Sequence, residues 1–372
     1  MPRGRQLALF AGGAVVLTAI VAVTYRYTQT PDDSFIFYRY ARNLGRGDGW
    51  LYNAGDADGN GATSPGWTAV LAVFAVVFDN LPLVGSILSA CFMVAAGLLV
   101  AHSLRSIGRP IEAVVAPVLI VLLPILAAVR GMESAMMLAL VAGLLHVGVV
   151  RPRPAVAGVL GGLLTLARPE GALLAVLVAL NRWRRDRKLP VVMAVAGVLT
   201  LVPWIVYSFI TLGTPISGTL KAKMAQERSG LIGPPYLFLR HAKQLVGTPW
   251  SAALLVLAVI GVVSVVRSRP VRDYLGCLVG YVALHVAVYG VIVRPPAYPW
   301  YYSVDYFALA VLAAFGIVAV ARFVADRVPE PRQALVRSTV VVLGVAGVAG
   351  LCFEGYRATD WYVGYREVGR YL

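Results

Sequence analysis

Asp32 and Asp33 stand side by side soon after an apolar run, Gln6 to Thr24, and open the one long polar stretch in the first half of the chain, Pro31 to Trp67. A third carboxylate, Glu133, and three cations, Arg168, Lys221 and Lys223, lie at or beyond the ends of other apolar runs. Charges at such positions are costly in a bilayer unless they have a task. Together they suit transfer from a lipid-linked phosphate donor. A cation binds the phosphate and stabilises the charge that grows on it as it leaves. A carboxylate takes the proton of the attacking hydroxyl. A substrate with a long isoprenoid tail would enter sideways from the bilayer, which accounts for a site at the interface. The adjacent aspartates leave room for a divalent ion, although no full set of metal ligands accompanies them.

The elements that must hold these groups are apolar helices. The chain has 372 residues, 59% hydrophobic and 14% charged, against about 25% charged in soluble domains. Runs approaching the length of a span recur throughout. Gln6 to Thr24 follows Arg3 and Arg5, is long for a signal-peptide core and lacks a clean cleavage site, so it reads as the first helix. Further spans are expected at 83–104, 112–129, 132–150, 155–167, 172–180, 191–212, 251–266, 274–293, 306–321 and 335–353. Residues 33–44 have helical periodicity and read as an amphipathic interfacial helix capped by Asp32 or Asp33. Gly45 to Gly61 is turn material. A second long polar loop lies between Gly213 and Trp250.

Charge placement decides the topology. The basic clusters at 3–5, 105–109, 151–153, 182–188, 267–272 and 322–337 should share the cytoplasmic side. They do so only if the short segment Pro65 to Phe78 lies in the interface instead of crossing. The result is an all-α polytopic membrane protein with about 11 transmembrane helices, interfacial helices in the first outer loop, and a cytoplasmic N-terminus in the plasma membrane. One module covers residues 1–353, and 354–372 form a short outward-facing tail. Of the 33 Lys and Arg, 18 fall inside, with only 5 of the 18 Asp and Glu, so the net charge of +15 is largely topological. Nucleic-acid binding is not needed to explain it. Cys91, Cys277 and Cys352 are far apart and read as core thiols, and the scattered histidines form no metal spacing.

The outer face then collects Asp32/Asp33, Arg130 to Glu133, Arg168 to Gly171, Gly213 to Trp250, and Arg294 to Asp305. On these residues the chain resembles the GT-C-class membrane glycosyltransferases that use polyprenyl-phosphate sugars, whose relatives include the mycobacterial arabinofuranosyltransferases. The first outer loop carries the paired Asp, an aromatic-rich helix with Phe37-Tyr-Arg39-Tyr40-Ala-Arg-Asn43-Leu44, a turn ending in Asn53, and Gly61-Ala-Thr-Ser-Pro65-Gly-Trp67. Three later elements follow in order: Gly131-Met-Glu133-Ser134, Thr165-Leu-Ala-Arg168-Pro-Glu170-Gly171, and Gly213-Thr-Pro215 running to Lys221 and Lys223. Together they span roughly residues 1–320.

The resemblance implies a GT-C-like fold and an outward-facing site using a polyprenyl-phosphate sugar, with inversion at the anomeric carbon. The acceptor would be an envelope glycan, lipid or protein. Asp32 or Asp33 would be the general base, with Asp32 favoured because Asp33 is placed to cap the following helix. Glu133 would be an acidic partner, and Arg168, Lys221 and Lys223 would bind the donor phosphate. Arg39, Tyr40, Asn43, Trp67, Tyr301 and Tyr302 would line the substrate cavity, with no metal ligand assigned. The chain departs from the pattern at Gly66, where a branched residue is usual, and it ends at Leu372 where many relatives continue into a soluble domain.

Plainer readings stand beside these. The aspartates could be caps, Asp48, Asp56 and Asp58 turn formers, Lys221 and Lys223 snorkelling residues, residues 294–302 an interfacial belt, and Gly158-x-x-x-Gly162 a close helix contact. A lipid or sugar transporter would want ionisable groups at mid-bilayer and repeated halves. A non-catalytic assembly subunit would have no need of the acidic and basic set.

Overall fold

The computed structural model describes residues 3–53, 59–229, 236–241, 247–265 and 268–358. Among them all regular structure is helical. The helices are α1 (Arg3–Thr24), α2 (Ser34–Arg46), α3 (Pro65–Ala75), α4 (Leu81–Ser106), α5 (Glu112–Leu122), α6 (Pro124–Ala128), α7 (Ser134–Leu145), α8 (Pro154–Ala167), α9 (Gly171–Asp186), α10 (Val191–Leu212), α11 (Gly218–Arg228), α12 (Leu237–His241), α13 (Pro249–Ser264), α14 (Arg269–Ala287), α15 (Ser303–Ala325) and α16 (Glu330–Ala358). Wider π-helical turns extend α7 over His146–Val150 and α14 over Val288–Val293.

Proline and polar caps set many of the starts. Ser64 accepts from the Trp67 amide ahead of α3, and Asn80 accepts from the Leu83 amide ahead of α4. Each satisfies an amide that the first helical turn leaves unpaired. Pro124 splits the expected span at 112–129 into α5 and α6, because its ring cannot follow an uninterrupted helical turn. The span expected from 132 begins at Ser134, which leaves Glu133 in the turn ahead of α7. Among the described residues six helices are long and apolar enough to cross a membrane, and shorter apolar helices accompany them, so the protein reads as multi-pass. The 11 residues of α3 reach about 16 Å at 1.5 Å per residue, half of a bilayer core. The tail expected from 354 starts as the last turn of α16, and residues 359–372 lie outside those described.

Small residues let the helices meet. A Cβ at Gly158 would lie 2.2 Å from the Met193 carbonyl oxygen, so α8 touches the backbone of α10 there. Gly261 and Gly316 do the same between α13 and α15. Helix α15 is the most buried span, as a central helix must be. The two ends of the bundle differ in chemistry. One carries buried Glu112, held by Arg322 of α15 at 3.3 Å and Arg109 at 3.6 Å. The other gathers the turns between α1 and α2, α6 and α7, α8 and α9, and α14 and α15, and the candidate site lies there. Cys91 is exposed on α4, whereas Cys277 and Cys352 are buried.

Gly158→Val should force α8 and α10 apart. Overpacking of this kind costs about 1–3 kcal/mol, so the midpoint of thermal unfolding in detergent should fall by several degrees. An unchanged midpoint would show that the two backbones are not in contact.

Candidate functional site

The polar loop after α1 is folded by its own side chains. The Tyr40 hydroxyl donates to the Gly59 carbonyl at 2.8 Å and accepts from the Gly61 amide at 3.1 Å. Asn43 Nδ2 donates to the carbonyls of Leu51 and Tyr52. Arg39 donates to the Tyr52 carbonyl and to Asn53. Trp67 is wholly buried, and its Nε1 donates to the Gly131 carbonyl at 3.1 Å. The Tyr302 hydroxyl donates to the Phe238 carbonyl, and the two rings stack at 4.7 Å. Five of the six residues expected on the cavity surface do not line it: Tyr40, Asn43, Trp67 and Tyr302 are buried, where hydroxyl, amide and indole donors must find acceptors, and Arg39 is exposed and braces the loop from outside.

Between these walls lies a cavity of about 510 Å³. Asp33 lines it with Asn60 and Thr63 from the first loop, Arg168 and Glu170 from the turn between α8 and α9, Trp204 from α10, and Tyr289 and Tyr301. Most of the remaining surface is apolar. Tyr301 is the expected cavity residue found on it. The neighbouring Trp300–Tyr302 turn is buried and does not form an interfacial belt. Asp32 is exposed, does not line the cavity, and accepts the Asp33 amide at 2.9 Å. Asp33 stands at the N-cap of α2 yet makes no side-chain capping bond. Of the two adjacent aspartates, Asp33 and not Asp32 lines the cavity, and its side chain is not the cap expected of it.

Arg168 forms the floor. It is 6% exposed, Glu133 1% and Glu170 6%. Arg168 Nη1 donates to Glu133 Oε1 at 2.6 Å, and Nε donates to Glu170 Oε1. The guanidinium lies 5.1 Å from the centre of the Tyr301 ring. Arg168 takes extended backbone at the end of α8, and this turns its side chain across the bundle toward the turn before α7. The approach is close because Gly66, at the start of α3, faces the backbone of Leu166 and Ala167, where a Cβ would lie 3.1 Å from the Leu166 carbonyl carbon. The departure from a branched residue there follows from this contact.

The two carboxyls are pushed in opposite directions. Burial raises Glu133 above its ordinary range, and the Arg168 charge offsets this only in part. Burial also acts to raise Glu170, but Arg168 and then His285 outweigh it and hold that group below the usual range. Burial thus outweighs the Arg168 charge at Glu133, and the Arg168 charge outweighs burial at Glu170.

Lys221 is exposed on α11 and does not line the cavity, and the side chain of Lys223 lies outside those described. The start of the second polar loop does reach the site. Asn60 Nδ2 donates to the Thr214 carbonyl at 3.2 Å, the Gly218 amide donates to the Asn60 carbonyl at 2.6 Å, and the Thr219 hydroxyl donates to the Gly61 carbonyl. Asp56 and Asp58 lie outside the described residues. Glu133 and Glu170 are both held by Arg168, and among the described residues no three His, Cys, Asp or Glu side chains converge as ligands.

Neither a protein-family model nor a curated protein sequence matches the chain. Solved structures do. The crystal structure of ArnT from Cupriavidus metallidurans bound to undecaprenyl phosphate matches with a TM-score of 0.62 at 14% identity, covering 95% of this chain and 76% of that one. The chain has the GT-C fold. The cryo-EM structure of the arabinosyltransferase EmbB from Mycobacterium smegmatis matches with a TM-score of 0.52 at 13% identity, over 94% of this chain and 40% of that one. At such identities the likeness is one of fold, and it was reached without the motifs that led to the same class.

Glu170 and Tyr289 were not among the expected site residues. Glu170 could have been picked out as the second ionisable group of the Arg168-Pro-Glu170 turn. Tyr289 lies in an apolar run, and nothing local marks it.

Arg168→Leu should leave two buried carboxyls without their cation, at a cost of about 3–5 kcal/mol. Adding Glu133→Gln and Glu170→Gln should recover much of the lost thermal midpoint. A single variant as stable as wild type would contradict the pairing.

Proposed function

We propose that the protein is a glycosyltransferase that moves a sugar from a polyprenyl-phosphate donor to an acceptor hydroxyl on the outer face of the plasma membrane. One observation carries this reading. A single cavity, at the end of the bundle away from the basic clusters, brings together a carboxylate not used as a cap (Asp33), a fixed cation (Arg168) and mostly apolar walls. The likeness in fold to a structure bound to undecaprenyl phosphate supports it.

In this reading the apolar walls take the first isoprenoid units. The acceptor oxygen attacks the anomeric carbon as the bond from that carbon to the phosphate oxygen breaks, with inversion. Asp33 accepts the hydroxyl proton. The departing polyprenyl phosphate gains negative charge, and Arg168 faces it from the floor. Lys221, exposed on a helix tied to the first loop, would add positive charge for the donor phosphate. The acceptor is a glycan, lipid or protein of the cell envelope.

The test is transfer from a radiolabelled polyprenyl-phosphate sugar by protein in liposomes. Asp33→Asn should insert and fold as wild type and lower kcat by about 100-fold or more, the range of general base catalysis. Asp32→Asn should retain most activity. Full turnover by Asp33→Asn would overturn the assignment of the base, and if wild type transfers from no such donor the class itself is wrong.

A further inference from the structure

A second buried pair of ionisable side chains stands behind the floor of the cavity. His285, near the end of α14, is fully buried, and its Nδ1 lies 3.1 Å from Oδ1 of Asp305, in the first turn of α15. Ionisable pairs inside an apolar bundle are costly to desolvate and make a poor source of stability. His285 Nε2 and Asp305 Oδ2 have no hydrogen-bond partner. Such a pair at this depth calls for a role.

Its neighbours supply one. One helical turn after His285 comes Tyr289, the second residue of the π-helical turn Val288–Val293. Single π-turns often re-aim a side chain at a functional site. The two rings lie 4.5 Å apart. Tyr289 lines the cavity together with Glu170 and Arg168. Phe238 of α12 closes the far side of His285 edge-on at 5.9 Å. Each layer is thus set by the one behind it, from Asp305 to His285, to the Tyr289 ring, to the carboxylate of Glu170, to the guanidinium on the floor.

We propose that His285, fixed by Asp305, is a positioning residue that acts through Tyr289 to hold Glu170 on Arg168 during transfer. Neither His285 nor Asp305 lines the cavity, so neither touches substrate. Asp305 orients the imidazole, the imidazole orients the tyrosine ring, and the hydroxyl keeps the Glu170 carboxylate in line with Arg168. The proposal rests on the glycosyltransferase reading for its kinetic consequence, but not for the coupling itself.

The experiment has two arms. In the first, His285→Asn, Asp305→Asn, Tyr289→Phe and the double variant His285→Asn/Tyr289→Phe are assayed for transfer from a polyprenyl-phosphate sugar, per folded molecule. Each single variant should lower kcat by about tenfold with donor KM nearly unchanged, and the double should be no worse than the worse single, as residues acting as one unit behave. Unchanged kcat per folded molecule, a loss confined to KM, or losses that multiply would overturn the proposal. The second arm needs no activity. Thermal unfolding in detergent is measured for His285→Asn, Glu170→Gln and the pair. Non-additive shifts are expected for coupled groups, and simple additivity would overturn the coupling. If wild type transfers nothing, the glycosyltransferase reading fails in the first arm, and the positioning role still stands or falls on the second.

Discussion

A guanidinium shared between two buried carboxyls organises this molecule. Arg168 is almost free of solvent, and so are Glu133 and Glu170. In so apolar a bundle such a group is stable only where its partners are fixed by several elements at once. Four turns meet to satisfy that condition. Helix α8 must end where Arg168 can leave it, α7 must start just after Glu133, α3 must come close enough to need Gly66, and α14 must widen to bring Tyr289 to Glu170. The cavity is the space those turns enclose.

The two carboxyls show how one cation can serve two purposes. The Arg168 charge holds Glu170 below its ordinary range, while burial keeps Glu133, the less exposed of the two, above its own. Asp33, at the head of α2, lines the same cavity. The proposed displacement needs its proton acceptor and its phosphate-binding cation apart, since the attacking and departing oxygens lie on opposite sides of the reacting carbon.

Much of the fold could be read from apolar run lengths and the placement of basic residues. The shortness of Pro65 to Phe78 and the one-sided arginines kept that segment from being taken as a span, and the helix found there is too short to cross. The ends were less legible. Pro124 broke one expected span, and the start of α7 moved past Glu133, because turn geometry and not hydropathy fixes those boundaries. In the site, Glu133 and Arg168 were named separately, but their pairing depends on a crossing of helices that no local pattern encodes. Arg39, Tyr40, Asn43 and Trp67 form a conspicuous polar and aromatic motif, yet their hydrogen bonds go to the backbone of the loop and its neighbours and not into the cavity. His285, Tyr289 and Trp204 sit in apolar runs, where one polar or aromatic residue looks like ordinary core. Only the packing of α14 against the turn before α9 shows what they meet.

The central claim is that this cavity takes the phosphate end of a polyprenyl lipid beside Arg168. The most direct measurement is a cryo-EM map of the full chain in lipid nanodiscs with undecaprenyl phosphate added. The account predicts phosphate density next to the Arg168 guanidinium and within reach of the wall that bears Asp33, with the isoprenoid chain running along the apolar walls. A lipid bound elsewhere on the bundle, with the cavity unchanged by its addition, would contradict it.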